Sequence, residues 1–382
     1  SMGKTGTQSI GDHMWRTLYS PVSYGDKNAL IPTQLGNDKI KWESTVQKDL
    51  GLDFSFMRGR LGGTFGYYHK VTDGTLLNMT PAPSSSYSTV VFNIAKIRNQ
   101  GLEFDIHGDF IRKKDFRWTG NLNISRNVSK VLDINGGPFS DPNDRDAMNL
   151  GTSVVKEGEP LGLLYGRVAT GIIKTQAQLE AAREEFSLWT IFDPYLNLGD
   201  IAYEYEDGFW KEDVIGHATP DFFGGYTNTI NWNRFTLTAL FTFSYGNDLI
   251  YQKDVSDSGM SSLANRGTRV LNHYSEDNTS SNRPRSMWAT TYMLSSLNVY
   301  DASYLKLKTL SLSYNLPESI CRKVRIKSAS VYGTATNVFT ITSYPGPDPE
   351  VSDDPTSVIG GGRDVSTYPT VKSYTFGIRI NF

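Results

Sequence analysis

Apolar and polar side chains alternate with a period of two along most of the chain, the spacing that sends successive side chains to opposite faces of a strand. In residues 42–57, Leu50, Leu52, Phe54 and Phe56 fall on one face and Gly51, Asp53 and Ser55 on the other. Arg58-Gly59 leads into residues 60–79, and the pair predicts a tight hairpin. Residues 98–111 set Leu102, Phe104 and Ile106 against Glu103, Asp105 and His107, and a basic turn at Arg112 to Lys114 joins them to residues 116–134. A third hairpin turns at Asn233-Arg234 between residues 221–233 and 234–248, where Phe235, Leu237, Ala239, Phe241, Phe243 and Tyr245 share a face. Residues 304–317 and 326–342 pair around a turn at Pro317 to Arg325. Residues 371–382 close the chain, alternating Tyr374, Phe376, Ile378, Ile380 and Phe382 with Thr375, Gly377, Arg379 and Asn381. The pattern gives about nine strands, or ten if residues 161–173 supply one.

Where the connections fall separates two all-β architectures. Turns of about two to nine residues alternate with long excursions at 80–97, 135–219, 249–300 and 343–368, which puts the long loops at one end. A soluble sandwich has no reason for that asymmetry, whereas an outer-membrane barrel has short periplasmic turns and long extracellular loops. Hairpin arms also exceed the five or six residues usual for sandwich strands and reach the 9 to 11 that a tilted strand needs to cross hydrocarbon. Phe116, Trp118, Trp232, Phe235 and Phe382 cluster beside the short turns, as an interfacial girdle would. The opposite faces carry Glu103, Asp105, Thr236, Thr238, Thr242, Ser311, Ser313 and Arg379, suited to a wet or plugged interior. One strand breaks phase: apolar positions shift from Leu305 and Leu307 to Leu310, Leu312, Tyr314 and Leu316, which a bulge would explain.

Composition supports the all-β reading, with 35 Gly, 21 Tyr and 19 Phe but only 38% apolar residues. A net charge of −2 without a basic block excludes the electrostatic footprint of a nucleic-acid binder. The single cysteine, Cys321, forms no internal disulfide, and the five histidines are scattered without metal-ligand spacing. No apolar run is long enough for a transmembrane helix, which a barrel does not need. The polar, glycine-rich start has no signal peptide, so the chain is expected either to be cytoplasmic or to begin away from a native N-terminus.

Several stretches resemble, in order, the C-terminal half of SusC/RagA-type TonB-dependent outer-membrane transporters. They are "SMGKTGTQSIGD", "NIAKIRNQGLEFDI", "FRWTGNLNISRNVSKVLDI", "GEPLGLLYGRVATGII", "IGHATPDFFGGYTNTINWNRFTLTALFTFSYGNDLI", "YLKLKTLSLSYNLP" and "YPTVKSYTFGIRINF". The resemblance implies an antiparallel transmembrane β-barrel of roughly 22 strands in the outer membrane of a Gram-negative bacterium, with residues 1–382 forming its C-terminal part of about 9–11 strands. It implies that the plug and first wall strands lie in a remaining N-terminal part of the same transporter, which contacts TonB. It further implies a SusD-like surface lipoprotein as lid, and oligosaccharides or peptides as substrates. A terminal strand ending in an aromatic resembles the signal for barrel assembly, carried here by Tyr374, Phe376, Ile378, Ile380 and Phe382 facing lipid. Two other readings remain open: a passive or structural outer-membrane barrel, and a secreted soluble carbohydrate-binding β protein.

Candidate chemistry is sparse. The acidic stretch 198–213 stands where the family has a calcium-like loop and retains Asp200, Asp207 and Asp213, but Tyr205 and Glu206 replace the expected oxygen donors, so a hydrogen-bonded surface loop is expected instead. No other cofactor is implied. Residues 175–187 predict one helix, with Thr175 as N-cap and Glu184 and Glu185 in solvent. Neighbouring carboxylates such as Asp353 and Asp354 do not suit a glycosidase, "GGGR" at 360–363 lacks the lysine and context of a phosphate loop, and nothing marks an enzyme. The loop aromatics Trp15, Tyr19, Tyr87, Trp189, Tyr195, Trp210, Trp288 and Tyr292 are the candidates for contact with substrate or lid.

Overall fold

The computed structural model describes residues 1–7, 13–79, 83–85, 87, 90–134, 147–185, 196–259, 265–286, 292–354, 359 and 361–382. Ten strands form one antiparallel sheet whose order follows the chain: β1 (Met2–Thr7), β2 (Glu43–Phe56), β3 (Leu61–Met79), β4 (Val90–Arg112), β5 (Phe116–Ile134), β6 (Phe222–Trp232), β7 (Phe235–Tyr245), β8 (Tyr304–Asn315), β9 (Ser328–Thr342) and β10 (Ser373–Asn381). The sheet is open, with β1 and β10 at its edges.

Register converts the period-two pattern into continuous bands, because directly paired residues point the same way. One cross-sheet row reads Phe54, Gly63, Ile106, Leu122, Tyr226, Phe241, Leu307 and Phe339. The adjacent row, on the other face, reads Asp53, Thr64, Asp105, Asn123, Gly225, Thr242, Lys306 and Thr340. Much of the apolar band is uncovered, with Leu52 62%, Phe376 82% and Ile378 68% exposed, while Leu307 and Ala239 are buried among their neighbours. Leaving such side chains in water forgoes about 1.5–3 kcal/mol each, whereas hydrocarbon solvates them. Rings gather beside the short turns, with Phe110 against Trp118 at 5.0 Å, Trp232 on Phe235 at 6.3 Å and Phe235 on Tyr314 at 4.8 Å between centroids.

The break of phase in β8 is a bulge. Register shifts between Leu307 and Thr309, so Leu307 pairs with Phe241 and Leu310 with Ala239, and both leucines join the apolar face despite odd spacing. The short connections also have the expected chemistry, with Asn233 at φ 51° in the two-residue turn between β6 and β7.

Buried hydrophobic side chains gather at the long-loop end. The largest cluster joins Val90, Ile94, Ile97, Val131 and Ile134 from the extended ends of β4 and β5 to Met148, Val155 and Leu161 from the following excursion. Three expectations are corrected here. Residues 161–173 add no wall strand: Leu163–Arg167 pairs with Ser153–Lys156 and Glu212–His217, and Ala169–Ile172 with Ile201–Tyr203. Their apolar positions, Leu163, Leu164, Ile172 and Ile173, are buried inside this layer and so do not alternate. The tenth wall strand is instead Met2–Thr7, a polar and glycine-containing segment recruited by pairing with β2. Residues 90–97, read as loop, extend β4 upward, with Val90, Val91, Ile94, Ala95 and Ile97 buried. The expected helix is present as Gln176–Glu185, with Gln178 N donating to the Thr175 hydroxyl at 3.2 Å, Leu179 buried and Glu184 and Glu185 exposed.

Candidate functional site

The polar face ends, toward the long loops, in a cleft between the wall and a segment folded back onto it. Lys306 occupies a polar-row position of β8, but its side chain is only 1% exposed. Its Nζ donates to both Asp348 carboxylate oxygens at 2.9 and 3.0 Å and to Glu350 Oε2 at 2.6 Å. Lys308 Nζ donates to the same Glu350 oxygen at 2.6 Å, and the Tyr304 hydroxyl donates to Glu350 Oε1 at 3.1 Å. The Thr370 hydroxyl donates to Asp348 Oδ2, and Glu350 N donates to Asp348 Oδ1 at 2.9 Å. Two lysines thus neutralise two carboxylates, the arrangement that makes a buried charge tolerable. Burial alone pushes the Glu350 carboxyl up, but hydrogen bonds from Lys306 and Lys308, with their charges, outweigh it and hold the group below its ordinary value.

This cluster pins the loop after β9 against the polar face and leaves a cleft of about 460 Å³ beside it. Phe223, Ser244, Asn247, Tyr304, Glu350 and Ser352 line it. The returning chain is tied down by Ile250 N to Gly362 O at 2.9 Å and Asp353 N to Arg363 O at 3.0 Å. Gly362 is required there: its φ is 88°, and a Cβ would lie 2.5 Å from that of Ala218.

Among the described residues most of the sequence candidates lie apart, while Tyr19 and Tyr87 come together. Trp15 is 53% exposed, with the Arg16 guanidinium 4.3 Å above its ring, just ahead of the hairpin Leu18–Tyr24 and Lys27–Gln34. Tyr87 shares a side-chain hydrogen bond with Tyr19, which pushes its hydroxyl pKa up. The Arg167 guanidinium lies 4.9 Å above the ring of Trp210. Tyr292 is half-buried against Ile172, Ile201 and Tyr274, its hydroxyl 2.9 Å from Arg285 O and 3.3 Å from Asp200 Oδ1. Trp189, Tyr195 and Trp288 lie outside the described residues.

The acidic stretch is a set of short strands, and its carboxylates do not converge. Arg285 grips Asp200 with two bonds of 2.8 and 3.0 Å, and Asn197 N donates to Asp200 Oδ2 at 2.7 Å. Asp207 and Gly208, at φ 51° and 81°, make the turn between Tyr205–Glu206 and Phe209–Trp210. Asp213 accepts from Val214 N at 2.7 Å. Among the described residues no three His, Cys, Asp or Glu side chains are grouped to hold a metal ion.

The rim cluster has no local sequence signal, since Lys306 and Asp348 are 42 residues apart. Its one hint was a pair of lysines alternating with Leu305 and Leu307, where neighbouring strands carry threonine and serine.

On the terminal strand, Tyr374, Phe376, Ile378 and Ile380 extend the exposed apolar band, and Phe382 follows at 87% exposure.

Comparison with known proteins accounts for the wall. Residues 17–239 match the family model described as TonB dependent receptor-like, beta-barrel. TonB-dependent receptor P3 of Formosa agariphila is 32% identical over 396 residues, covering 100% of this chain and 39% of that protein. TonB-dependent receptor SusC of Bacteroides thetaiotaomicron is 25% identical over 409 residues, covering 100% of this chain and 37% of that protein. The structure of the RagAB peptide transporter superposes with a TM-score of 0.78 at 23% identity, covering 100% of this chain and 40% of that one, a likeness of fold. The chain therefore spans about two fifths of the length of the relatives it matches. With its apolar band, polar face and chain-ordered antiparallel wall, this chain belongs to the TonB-dependent receptor-like β-barrel family.

Proposed function

We propose that this chain is the C-terminal part of the wall of a TonB-dependent outer-membrane importer of oligosaccharides or peptides. The observation that carries the reading is the pair of bands: uncovered apolar side chains on one face and a continuous polar row on the other, across an open sheet. Such a sheet must close, because unpaired backbone groups at the β1 and β10 edges each cost several kcal/mol in hydrocarbon. The remaining N-terminal part of the polypeptide supplies the other strands, the plug and the contact with TonB. A SusD-like lipoprotein closes over the long-loop end, in keeping with the likeness to SusC and to the RagAB fold. The terminal residues Tyr374, Phe376, Ile378, Ile380 and Phe382 serve barrel assembly and face lipid.

The test is uptake by outer-membrane-intact cells carrying the complete polypeptide, fed oligosaccharide and peptide mixtures. Uptake abolished by a protonophore, together with co-purification of a surface lipoprotein in mild detergent, supports an importer. Protonophore-insensitive uptake with no lipoprotein would instead support a passive channel.

A further inference from the structure

The short-turn end of the wall carries a charge that the rest of the chain does not. The four turns, residues 57–60, 112–115, 233–234 and 316–327, hold ten Lys and Arg against two carboxylates, in a chain of net charge −2. In the longest of them the short helix Glu318–Lys323 buries Cys321 and leaves Ile320 and Val324, one helical turn apart, 47% and 60% exposed. Arg322 pairs with Glu318 at 2.8 Å, but Lys323 and Arg325, like Arg234 in the turn between β6 and β7, have no ion pair among the described residues. Exposed apolar side chains and free cations set beside a girdle of rings suit the headgroup level of a bilayer.

Directly above these turns the apolar face is grooved. Register sets Gly333 and Ala335 of β9 between Leu312 and Leu310 of β8 on one side and Phe376 and Tyr374 of β10 on the other. Small residues flanked by large ones leave a depression along β9, about 490 Å³ in volume. It continues past Val331 toward the turns, where the Phe235 and Tyr314 rings stand 4.8 Å apart at its lower end. Arg234 precedes Phe235, and Asn315 N donates to Arg234 O at 2.9 Å, so the groove opens beside the unpaired cations.

Groove and charge select the same occupant. An alkyl chain laid between two ridges of Leu, Phe and Tyr gains dispersion contacts on three sides, where a smooth wall offers one. In a barrel the short turns are periplasmic, so a chain entering from that end belongs to a lipid of the periplasmic leaflet. A zwitterionic headgroup brings its own ammonium and leaves the three cations unbalanced, whereas an anionic phosphate balances them.

We propose that this part of the wall binds one anionic phospholipid of the periplasmic leaflet, its acyl chain along Gly333 and Ala335 and its phosphate at Arg234, Lys323 and Arg325. The inference rests on the reading of this sheet as an outer-membrane barrel wall and goes beyond it by giving the wall a lipid ligand.

The experiment is native mass spectrometry of the complete polypeptide in neutral detergent, titrated with phosphatidylglycerol, phosphatidylethanolamine or glycerol 3-phosphate. Phosphatidylglycerol should be retained at least about tenfold more tightly than the other two. Combining Arg234→Gln, Lys323→Gln and Arg325→Gln should weaken it about tenfold, while Arg58→Gln, Lys113→Gln and Lys114→Gln together, an equal loss of charge at other turns, leave it unchanged. Ala335→Phe, which fills the groove, should also weaken it. Should a variant fail to assemble, competition between the two phospholipids on the unaltered protein decides. The proposal is overturned if phosphatidylethanolamine binds equally, if glycerol 3-phosphate competes equally and so marks a free-phosphate site, or if both triple variants behave alike. It is also overturned if Ala335→Phe splits a dimer without loss of lipid, since a second copy would then fill the groove. Lipid retention in detergent needs neither substrate nor TonB, so its failure is distinct from failure of the uptake test.

Discussion

Replacing Lys306 by methionine keeps the aliphatic stem and deletes the ammonium that Asp348 and Glu350 share. Glu350 retains Lys308, but Asp348, with a side chain 4% exposed, keeps only the Thr370 hydroxyl and the Glu350 N–H as donors. Removing one partner of a buried ion pair costs about 3–5 kcal/mol, and these residual donors argue for the lower end, about 3 kcal/mol. The cost falls on docking of the loop, because residues 344–354 can lift away while the strand ladder stays paired. At about 1.4 kcal/mol per decade, amide exchange in this segment should accelerate roughly a hundredfold. Hydrogen-exchange mass spectrometry of the full polypeptide reads this directly, with peptides from β7 as the unaffected reference. Adding Asp348→Asn to Lys306→Met removes the orphaned charge and should recover most of the protection. Unchanged exchange in Lys306→Met, or a double variant as exposed as the sum of the two singles, would refute the latch.

Lowering pH tests the same cluster: the folded-state pKa of Glu350 is depressed, so its contribution to docking is fully present above the ordinary carboxyl value of 4.5 and is lost as pH falls through the depressed value. Loop exchange corrected for intrinsic rate should therefore be flat from pH 6 to 8 and rise only below about pH 4.5. Phe241→Arg, in the middle of the apolar band, should cost about 2–4 kcal/mol of folding into lipid, while Thr242→Arg on the polar face should cost far less, both read from the folded fraction in vesicles. Gly224→Ala should cost about 1–3 kcal/mol by the same assay, since a Cβ there would lie 2.1 Å from Asn123 O, whereas Gly51→Ala, with open space around it, should fold normally.

The wall was legible because its rule is local. Alternation in Phe235 to Tyr245 or Tyr374 to Phe382 needs no knowledge of the partner strand to be read, and pairing then brings the bands into line. Even the slip at Leu307 to Leu310 announced its bulge. Met2–Thr7 escaped because a short strand of mostly glycine, threonine and lysine takes its conformation from β2 and has no pattern of its own. Residues 161–173 misled because a strand buried on both faces has an apolar run indistinguishable from a wall segment. The cleft was illegible for a different reason. Its ion cluster joins β8 to a loop 42 residues away, and Phe223 looks ordinary until register shows which face it occupies. In the acidic stretch, Asp200 is committed to Arg285, a partner 85 residues distant that composition could not name.

The most direct test of the account is the solvent seen by each face. Spin labels placed singly at Leu122, Phe241 and Phe376, and at Asn123, Thr242 and Thr375, in the assembled protein in bilayers, report collisions with oxygen dissolved in lipid or with a nickel chelate dissolved in water. The first three labels should favour oxygen and the second three the chelate, alternating residue by residue along β5, β7 and β10. Labels at Leu122, Phe241 and Phe376 shielded from both reagents would contradict it, because those side chains would then be packed within protein.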